Sequence, residues 1–396
     1  MVSQKPVTAG DVPRKQGTDL LYSLIAQARQ YRDAVILGRG DPDLDTPAHI
    51  VAAANASIEA GERTSSPVNG LPELRQAVAR RVRRVNNITV NPDSEVIITN
   101  GGQEAVFLMV QTALRPGDEI LVPVPTYNSY DDAIRFAGAV KVSVPTFVDR
   151  NFVVEPARVR SAITPRTRAL LMVSPCNPTA GVIPPKAVRE LVEIAAEHDL
   201  LVLADEIYDQ FLYDGAIHLS PASLDLGRER TITINSVSKT YAMTGWRVGW
   251  VVGPEHLMKR LSRLKTGVSG PTSVVAQRAA IAALDGPQDC VREFLEIYKR
   301  RRRLVLDALD AMGFKYGIPF GGQFAFADIS PTGLDSLSLV QRVLDETHVL
   351  IYPGFAFGQD WENFVRVTYL QPDEVLRDSL ERVKHVVLSH GTGSRS

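Results

Sequence analysis

Short apolar runs alternate with longer segments of helical periodicity between about residues 48 and 290, and this alternation limits the possible fold more than any other feature. Parallel strands need crossover connections, which are usually helices. The pattern therefore predicts an α/β fold whose mostly parallel, mixed sheet is flanked by helices. The predicted strands cover residues 95–99, 119–122, 168–173, 200–204 and 231–234, and a helix over residues 103–114 follows the first of them.

The pattern changes near residue 291. A long charged helix is predicted over residues 291–312, and it leads into an alternating strand at residues 324–328. A helix at residues 336–347 and strands at residues 349–351 and 364–369 complete an α+β arrangement. This part of the chain is therefore expected to form a separate, smaller domain.

Charge and cysteine content exclude several classes of protein. The 44 basic and 45 acidic residues give a formal net charge of −1, so there is no electrostatic reason to expect nucleic acid or an anionic membrane as a partner. A basic run at residues 299–303 is interpreted as solvated helix surface. Cys176 and Cys290 are too few for a disulfide framework, and neither has a Cys or His at metal-ligand spacing, so no metal site is predicted.

Apolar runs and the N-terminal residues bear on the location of the protein. No apolar run approaches the roughly 18 residues that a transmembrane helix needs. Residues 1–19 are polar and lack the apolar core of a signal peptide. With only two cysteines as well, a cytoplasmic location is expected.

Polar residues follow several of the predicted strands, where ligands bind in open α/β sheets. The sequence Thr-Asn-Gly-Gly-Gln at residues 99–103 ends a strand and opens a helix, so its N–H groups can hold a phosphate. An ordinary strand-to-helix turn has the same appearance. Asp205 and Glu206 follow another strand, where a carboxylate can hold a metal, act as a base, pair with a protonated ring nitrogen or simply cap a helix.

Lys239 follows a further strand, with Ser236 and Ser238 beside it and Arg247 eight residues later. Burial and nearby cations lower the pKa of a lysine and make its amine reactive toward carbonyl groups. A surface lysine is the alternative interpretation. The hydroxyls and the arginine favour an amine nucleophile close to an anion site.

Eight short blocks occur in a fixed order along the chain. They are Gly40-Asp41-Pro42-Asp43, Gly70-Leu71-Pro72-Glu73-Leu74-Arg75, Asn177-Pro178-Thr179, Asp205-Glu206-Ile207-Tyr208, Ser236-Val237-Ser238-Lys239, Met243-Thr244-Gly245-Trp246-Arg247, Pro353-Gly354 and Phe364-Val365-Arg366. Together they resemble the class I aminotransferases of the aspartate aminotransferase superfamily, which are fold-type I enzymes of pyridoxal 5′-phosphate. The resemblance spans about residues 36–385. It implies a large cofactor-binding domain over residues 48–290, and a small domain that combines residues 1–47 with residues 291–396.

The resemblance also implies catalytic roles for Lys239, Asp205 and Tyr208. Lys239 is expected to form the Schiff base with the cofactor and later to move a proton between substrate and cofactor. Asp205 is expected to pair with the pyridinium nitrogen, and Tyr208 and Asn177 with the phenolic oxygen. Tyr127 is expected to stack on the ring, with a core aromatic as the alternative.

The phosphate of the cofactor has its own expected site. By the same resemblance, the N–H groups of Gly101, Gly102 and Gln103 hold it together with the side chains of Ser236 and Arg247. This implied role strengthens the phosphate interpretation of the glycine turn.

The substrate site implied by the resemblance centres on Arg366. A guanidinium group meets a carboxylate through two parallel hydrogen bonds, so Arg366 is expected to bind the α-carboxylate of the substrate. The N–H of Gly40 and the side chain of Asn177 are expected to complete this site. Arg39, beside Gly40, is hypothesised to meet a distal carboxylate of the substrate.

One position departs from the family pattern. Class I members usually carry a tyrosine five residues before the glycine that corresponds to Gly70, and it reaches the phosphate of the neighbouring subunit. Here that residue is Ser65, which is too short to make the contact directly. Because active sites of this family lie at a dimer interface, a homodimer is expected. Its contact from one subunit to the cofactor phosphate of the other is expected to need water or another residue in place of the tyrosine.

The implied reaction is ping-pong transamination between an L-amino acid and a 2-oxo acid. Glutamate or aspartate with 2-oxoglutarate is the usual pair, and residues 220–224 and 246–254 also resemble arginine–pyruvate-type members. One alternative keeps the fold and the cofactor but makes the chain a carbon–sulfur lyase or a cyclising enzyme. A more remote alternative is a non-catalytic ligand-sensing domain.

Overall fold

A computed structural model of the protein describes residues 16–62 and 64–391. The expectation about a signal peptide in residues 1–19 falls mostly outside these residues. The strands are β1 (Val35–Ile36), β2 (Val96–Thr99), β3 (Glu119–Val124), β4 (Val140–Pro145), β5 (Thr167–Val173), β6 (Leu201–Asp205), β7 (Thr231–Ser236), β8 (Gly249–Val252), β9 (Lys315–Tyr316), β10 (Phe324–Asp328), β11 (Val349–Leu350), β12 (Tyr352–Pro353) and β13 (Phe364–Thr368).

Helices separate most of these strands. They are α1 (Gln16–Ala28), α2 (Ala48–Glu59), α3 (Pro72–Asn86), α4 (Gly102–Ala113), α5 (Ser129–Phe136), α6 (Pro156–Ser161), α7 (Pro185–Glu197), α8 (Asp225–Arg228), α9 (Val237–Thr240), α10 (Glu255–Val268), α11 (Val274–Asp285), α12 (Asp289–Ala311), α13 (Ser336–Thr347) and α14 (Asp373–Gly391). Helices α3, α6 and α7 each begin at a proline, which suits the first helical position because no N–H is needed there. Across the described part of the chain, no helix combines the length and the apolar character needed to span a membrane.

The large sheet has seven strands in the order β2-β8-β7-β6-β5-β3-β4. Strands β3 to β7 pair in parallel, whereas β8 runs antiparallel to both of its neighbours. The predicted α/β fold with a mostly parallel, mixed sheet is therefore confirmed. Each of the five predicted strands appears with shifts of one or two residues at its ends, and β4 and β8 were not predicted.

Helices cover both faces of this sheet, so its central strands are buried on both sides. In β3, Ile120 and Val122 pack with α4 and α5 on one face, while Leu121 packs with α7 on the other. Sheets covered on both faces favour continuous apolar strands over alternating ones. This burial explains why residues 120–122 form a short apolar run in the sequence.

The remaining strands form smaller sheets. Strands β12, β13, β10 and β9 make an antiparallel sheet in that order, and β1 pairs in parallel with β11. Leu24 and Ala28 of α1 belong to the same apolar cluster as residues of α12, α13 and α14. The N-terminal part of the described chain therefore packs against its C-terminal part. The elements predicted for residues 291–369 are present, with β10 and α13 at the predicted bounds.

The basic run at residues 299–303 is not simply solvated surface, so that interpretation was wrong in part. Arg301 and Arg302 are only 5% and 8% exposed. Arg301 forms ion pairs with Asp43 and Asp373, and Arg302 pairs with Asp214. Buried guanidinium groups need such partners, and all three lie more than 70 residues away in sequence.

Candidate active site

A cleft of about 550 Å³ opens beside the carboxyl ends of β5 and β6, next to α9 and the start of α4. Strand β13 and the segment after β1 close it from the other side. Parallel strands bring the residues at their carboxyl ends to one edge of a sheet, which is where ligands bind in such folds. The cleft is lined by these predicted site residues: Gly40, Gly102, Gln103, Tyr127, Asn177, Asp205, Tyr208, Lys239, Arg247 and Arg366.

Lys239 lies on the short helix α9, directly after β7. The Oγ of Ser236 caps this helix by accepting a hydrogen bond from the N–H of Ser238 at 3.2 Å. The Nζ of Lys239 donates to the carbonyl oxygen of Gly40 at 2.7 Å. Burial lowers the pKa of Lys239 to about 8, although the nearby Asp41 carboxylate favours the charged form. At pH 7 roughly a tenth of the amine is therefore neutral, far more than for an ordinary lysine, and this fraction can attack a carbonyl group.

Asp205 is the last residue of β6 and is 7% exposed. Its Oδ1 accepts the N–H of Ile207 at 3.0 Å, and its Oδ2 accepts a hydrogen bond from the hydroxyl of Tyr130. Burial raises the pKa of Asp205 to about 6, and these two hydrogen bonds oppose the rise. A cationic group in the cleft would favour the charged carboxylate, so this site suits a protonated ring nitrogen.

Arg366, in β13, is 5% exposed, and hydrogen bonds fix its guanidinium group. Its Nη1 donates to the Oδ1 of Asn177 and its Nη2 to the carbonyl oxygen of Gly38, both at 2.6 Å. Its buried Nε has no hydrogen-bond partner among the described residues. The guanidinium also lies over the rings of Tyr352 and Phe357, at 5.2 and 4.8 Å. A fixed, buried cation with an unused donor is suited to bind a carboxylate.

Two of the tyrosines that line the cleft, Tyr208 and Tyr127, are predicted site residues. Tyr208 is 5% exposed and packs edge-on against Phe324 with 5.3 Å between ring centroids. Burial raises the pKa of Tyr208, so its hydroxyl stays protonated and can donate a hydrogen bond. Tyr127 is partly buried, its hydroxyl is 3.4 Å from the Oε1 of Gln103, and its ring meets that of Tyr130 edge-on. Because Tyr127 lines the cleft, its ring can stack on a planar ligand there.

The glycine turn and Arg247 form an anion cradle. Gly101 caps α4 with φ of +80°, which a residue with a side chain rarely adopts. A Cβ at Gly101 would lie 2.3 Å from the Nη2 of Arg247, so the guanidinium fills the space that a side chain would occupy. Arg247 donates to the carbonyl oxygens of Thr244 at 2.8 Å and Asn100 at 3.3 Å. Gly101 and Ser236 lie just behind the cleft surface, where the Oγ of Ser236 is 4.0 Å from a Cβ built on Gly102.

These features fit pyridoxal 5′-phosphate. The first N–H groups of α4 have no intrahelical partners and attract an anion, and Arg247 adds a positive charge beside them. Lys239 supplies an amine for the aldehyde of the cofactor, and Asp205 supplies a carboxylate for its ring nitrogen. These groups thus match the phosphate, the aldehyde and the pyridine nitrogen of one small molecule.

Some cleft residues were missed by sequence reasoning. Tyr130 contacts Asp205 and Tyr352 faces Arg366, while Leu21, Tyr22 and Ile25 of α1 line the mouth of the cleft. The sequence offered one signal for these residues: Tyr130 follows the predicted site residue Tyr127 by only three positions, so it is expected to lie near the same site. The roles of Tyr352 and α1 depend on contacts between distant parts of the chain.

A buried polar network lies on the other side of the turn that carries Asp205 and Tyr208. Glu206, Asp209 and His218 have ligand atoms within 4.8 Å of one another, which is the spacing of a possible metal site. Both oxygens of Asp209 are already taken, by Arg81 on one side and by Asn86 and Asn235 on the other. Burial lowers the pKa of His218 more than any other single influence does. The Glu206 and Asp209 carboxylates together raise it by more, so the net shift is upward. We interpret the network as an anchor for the turn.

Comparisons with known proteins agree with this geometry. The family model for aminotransferase class I and II matches residues 32–383. The chain is 40% identical to the aspartate/prephenate aminotransferase of Thermus thermophilus, over 91% of this chain and 92% of that protein. It is 39% identical to the arginine–pyruvate transaminase of Pseudomonas aeruginosa, over 92% and 93% of the two chains. A solved structure of the aromatic aminotransferase from Pyrococcus horikoshii superposes with a TM-score of 0.88 at 37% identity, covering 92% of this chain and 99% of that one.

Proposed function

The chain belongs to the class I and II aminotransferases and transfers amino groups, and from this premise we propose that it does so with pyridoxal 5′-phosphate held at Lys239. One observation carries the proposal: a partly buried amine with its pKa lowered to about 8 faces a cleft that also holds a buried carboxylate and a buried guanidinium. This combination supplies the amine, the countercharge and the carboxylate receptor that the reaction requires.

Each part of the cofactor has a partner in the cleft. The phosphate would bind at the start of α4, to Gly101, Gly102 and Gln103, with Arg247 and Ser236 beside it. Asp205 would hold the proton on the ring nitrogen. Tyr208 and Asn177 would donate to the phenolic oxygen, and Tyr127 would lie against the ring. When bound, the cofactor withdraws electrons from the substrate Cα and carries the amino group between the two half-reactions.

The side chains of the protein bind the substrate and move its proton. Arg366 binds the α-carboxylate, and its buried Nε supports this role because it lacks a partner among the described residues. The N–H of Gly40 adds a second contact. Lys239, released from the cofactor during turnover, takes up and returns the Cα proton at its Nζ. Its lowered pKa allows both protonation states to be reached near neutral pH.

The substrates we propose are an L-amino acid donor and a 2-oxo acid acceptor. Relatives of this chain include enzymes named for aspartate and prephenate and for arginine and pyruvate, which supports transamination over a lyase or cyclising reaction. Arg39 lines the cleft, and its Nε is 2.5 Å from the Oδ2 of Asp41. A distal substrate carboxylate would meet the other N–H groups of this guanidinium or compete with Asp41 for it. If Arg39→Gln leaves the preference for acidic substrates unchanged, Arg39 has no such role.

The wider organisation we propose follows the resemblance. Residues 48–290 form the large domain, and residues 1–47 with 291–396 form the small one; packing of α1 against α12 and α14 supports this division. We also propose a homodimer in the cytoplasm. Ser65 is exposed, as expected of a residue that faces a partner subunit in such a dimer.

Borohydride reduction tests the attachment of the cofactor. The protein loaded with pyridoxal 5′-phosphate is reduced, digested and analysed by mass spectrometry. Reduction should fix the cofactor on the peptide that carries Lys239. Modification of other lysines with Lys239 unmodified would rule out the proposal.

A further inference from the structure

A buried ion pair lies directly behind the anion cradle. Lys265, in α10, has a side chain with no exposed area, and its Nζ is 3.1 and 3.3 Å from the two carboxylate oxygens of Glu104. Glu104 occupies the first turn of α4, and its side chain is 10% exposed. Ser269 also donates to this carboxylate. The pair therefore joins α10 to the first turn of α4.

Glu104 also controls the backbone of the glycine turn. Its Oε2 accepts the N–H of Asn100, while Arg247 donates to the carbonyl oxygen of the same residue. The peptide groups on both sides of Asn100 are thus held by charged side chains. Gly101, next in sequence, has the backbone conformation that turns the chain into α4. These two contacts hold the backbone directly before the first N–H groups of the helix.

The position of Glu104 creates an electrostatic problem. A carboxylate in the first turn of a helix is favourable when the helix end is empty. It becomes unfavourable when a phosphate dianion binds at the same helix end, because like charges repel strongly where water is scarce. Lys265 is the cation that contacts Glu104 and offsets its charge.

We propose that Glu104 and Lys265 are positioning residues for the phosphate of the cofactor. Glu104 fixes the turn at Asn100, and Lys265 removes the repulsion that the carboxylate would otherwise exert on the phosphate. The inference rests on the proposed function, since it assumes that the turn binds the phosphate of pyridoxal 5′-phosphate. The competing explanation is that the pair only holds α10 against α4.

Selectivity for the phosphate separates these explanations. The dissociation constants of pyridoxal 5′-phosphate and of pyridoxal, which lacks the phosphate, are measured by fluorescence titration of the full-length chain stripped of cofactor. The dissociation constant of pyridoxal divided by that of pyridoxal 5′-phosphate is the selectivity ratio, and it reports on the phosphate alone. Lys265→Met should reduce this ratio at least tenfold, with pyridoxal binding changed less than twofold. Lys259→Met, at an exposed position on the same helix, is the matched control and should leave the ratio unchanged.

Variants of Glu104 separate charge from geometry. Glu104→Gln keeps an acceptor for the N–H of Asn100 and removes the charge, so the ratio should stay the same or rise. Glu104→Ala removes both and should lower the affinity for pyridoxal 5′-phosphate below that of Glu104→Gln. The double variant Glu104→Gln with Lys265→Met should recover a ratio within about threefold of wild type, and it provides the comparison if Lys265→Met fails to fold.

The outcomes are distinguishable. Equal weakening of both ligands in Lys265→Met, or a double variant that remains as unselective as Lys265→Met, would show that the pair is structural only. A double variant with a tenfold lower ratio than Glu104→Gln would likewise contradict charge compensation. If the wild-type chain binds neither ligand, the proposed function itself fails.

Discussion

The hydroxyl of Tyr130 donates a hydrogen bond to the Oδ2 of Asp205, and both side chains are buried. The two residues are 75 positions apart in sequence and meet because α5 packs on the face of the large sheet to which β6 contributes Leu203. The contact opposes the effect of burial on the carboxylate. It therefore helps to keep Asp205 charged at neutral pH.

Removing this hydroxyl should make the site more sensitive to acid. In Tyr130→Phe the carboxylate loses a hydrogen bond to its charged form, so the pKa of Asp205 should rise from about 6 by about one unit. The affinity for pyridoxal 5′-phosphate is measured as a function of pH. Its decline on the acid side should have a midpoint about one pH unit higher in Tyr130→Phe than in wild type. Tyr241→Phe, a buried tyrosine bonded to Gln288, is the control. Identical profiles for wild type and Tyr130→Phe would show that the contact does not affect Asp205.

Asp41 should set the pH at which Lys239 becomes reactive. Its negative charge favours the ammonium form of Lys239 and opposes the effect of burial. Asp41→Asn should therefore lower the pKa of Lys239 below about 8. The rate at which cofactor-free protein forms the cofactor absorbance band should reach its half-maximum at a lower pH than in wild type. Asp45→Asn, at an exposed position nearby, should leave the profile unchanged; a shift to higher pH in Asp41→Asn would contradict the prediction.

Arg366 should govern substrate affinity more than cofactor affinity. A hydrogen bond to a charged group contributes about 1.5–3 kcal/mol, so loss of the two-pronged contact in Arg366→Ala should raise KM for both the amino acid and the 2-oxo acid by about ten- to a hundredfold or more. Arg366→Lys should recover little, because an ammonium group cannot form the two parallel hydrogen bonds. Steady-state kinetics give these values, and titration with pyridoxal 5′-phosphate should show near-normal binding. Unchanged KM values would place the carboxylate elsewhere.

Arg81 should be important for stability through its pair with Asp209. The two side chains are 3% and 0% exposed, with 2.6 Å between the Nη2 and Oδ1 atoms. Arg81→Met leaves a buried carboxylate short of a partner, and the free energy of unfolding should fall by about 3–5 kcal/mol. Arg80, the preceding residue, pairs with Asp285 at the surface, so Arg80→Met should cost about 1 kcal/mol or less. Urea unfolding measures both, and equal costs would show that burial of the pair adds nothing.

The large sheet could be predicted from the sequence because its strands are short, apolar and separated by helices. The residues after those strands could be assigned because Asp205 and Lys239 occur in blocks with family resemblance. The structure brings ten of the predicted site residues into one cleft. Their chemical roles remain predictions, and the experiments above address them.

Other features depend on contacts that no local pattern reveals. Arg301 belongs to a basic run, and only the fold brings Asp43 and Asp373 to it. Lys265 is an ordinary residue of an amphipathic helix until α10 places it against Glu104. In both cases the partner is distant in sequence, and the spacing of residues along the chain contains no information about the pairing.

The absorbance spectrum of the protein loaded with pyridoxal 5′-phosphate, recorded before and after each of twenty amino acids, tests the central claim most directly. With the donor substrates, the band of the lysine-bound cofactor should bleach to that of the aminated cofactor and return when a 2-oxo acid is added. Lys239→Ala should lack the initial band. A band that persists with every amino acid would contradict transamination at Lys239. Release of ammonia or sulfide from the amino acid, in place of transfer of its amino group, would also contradict it.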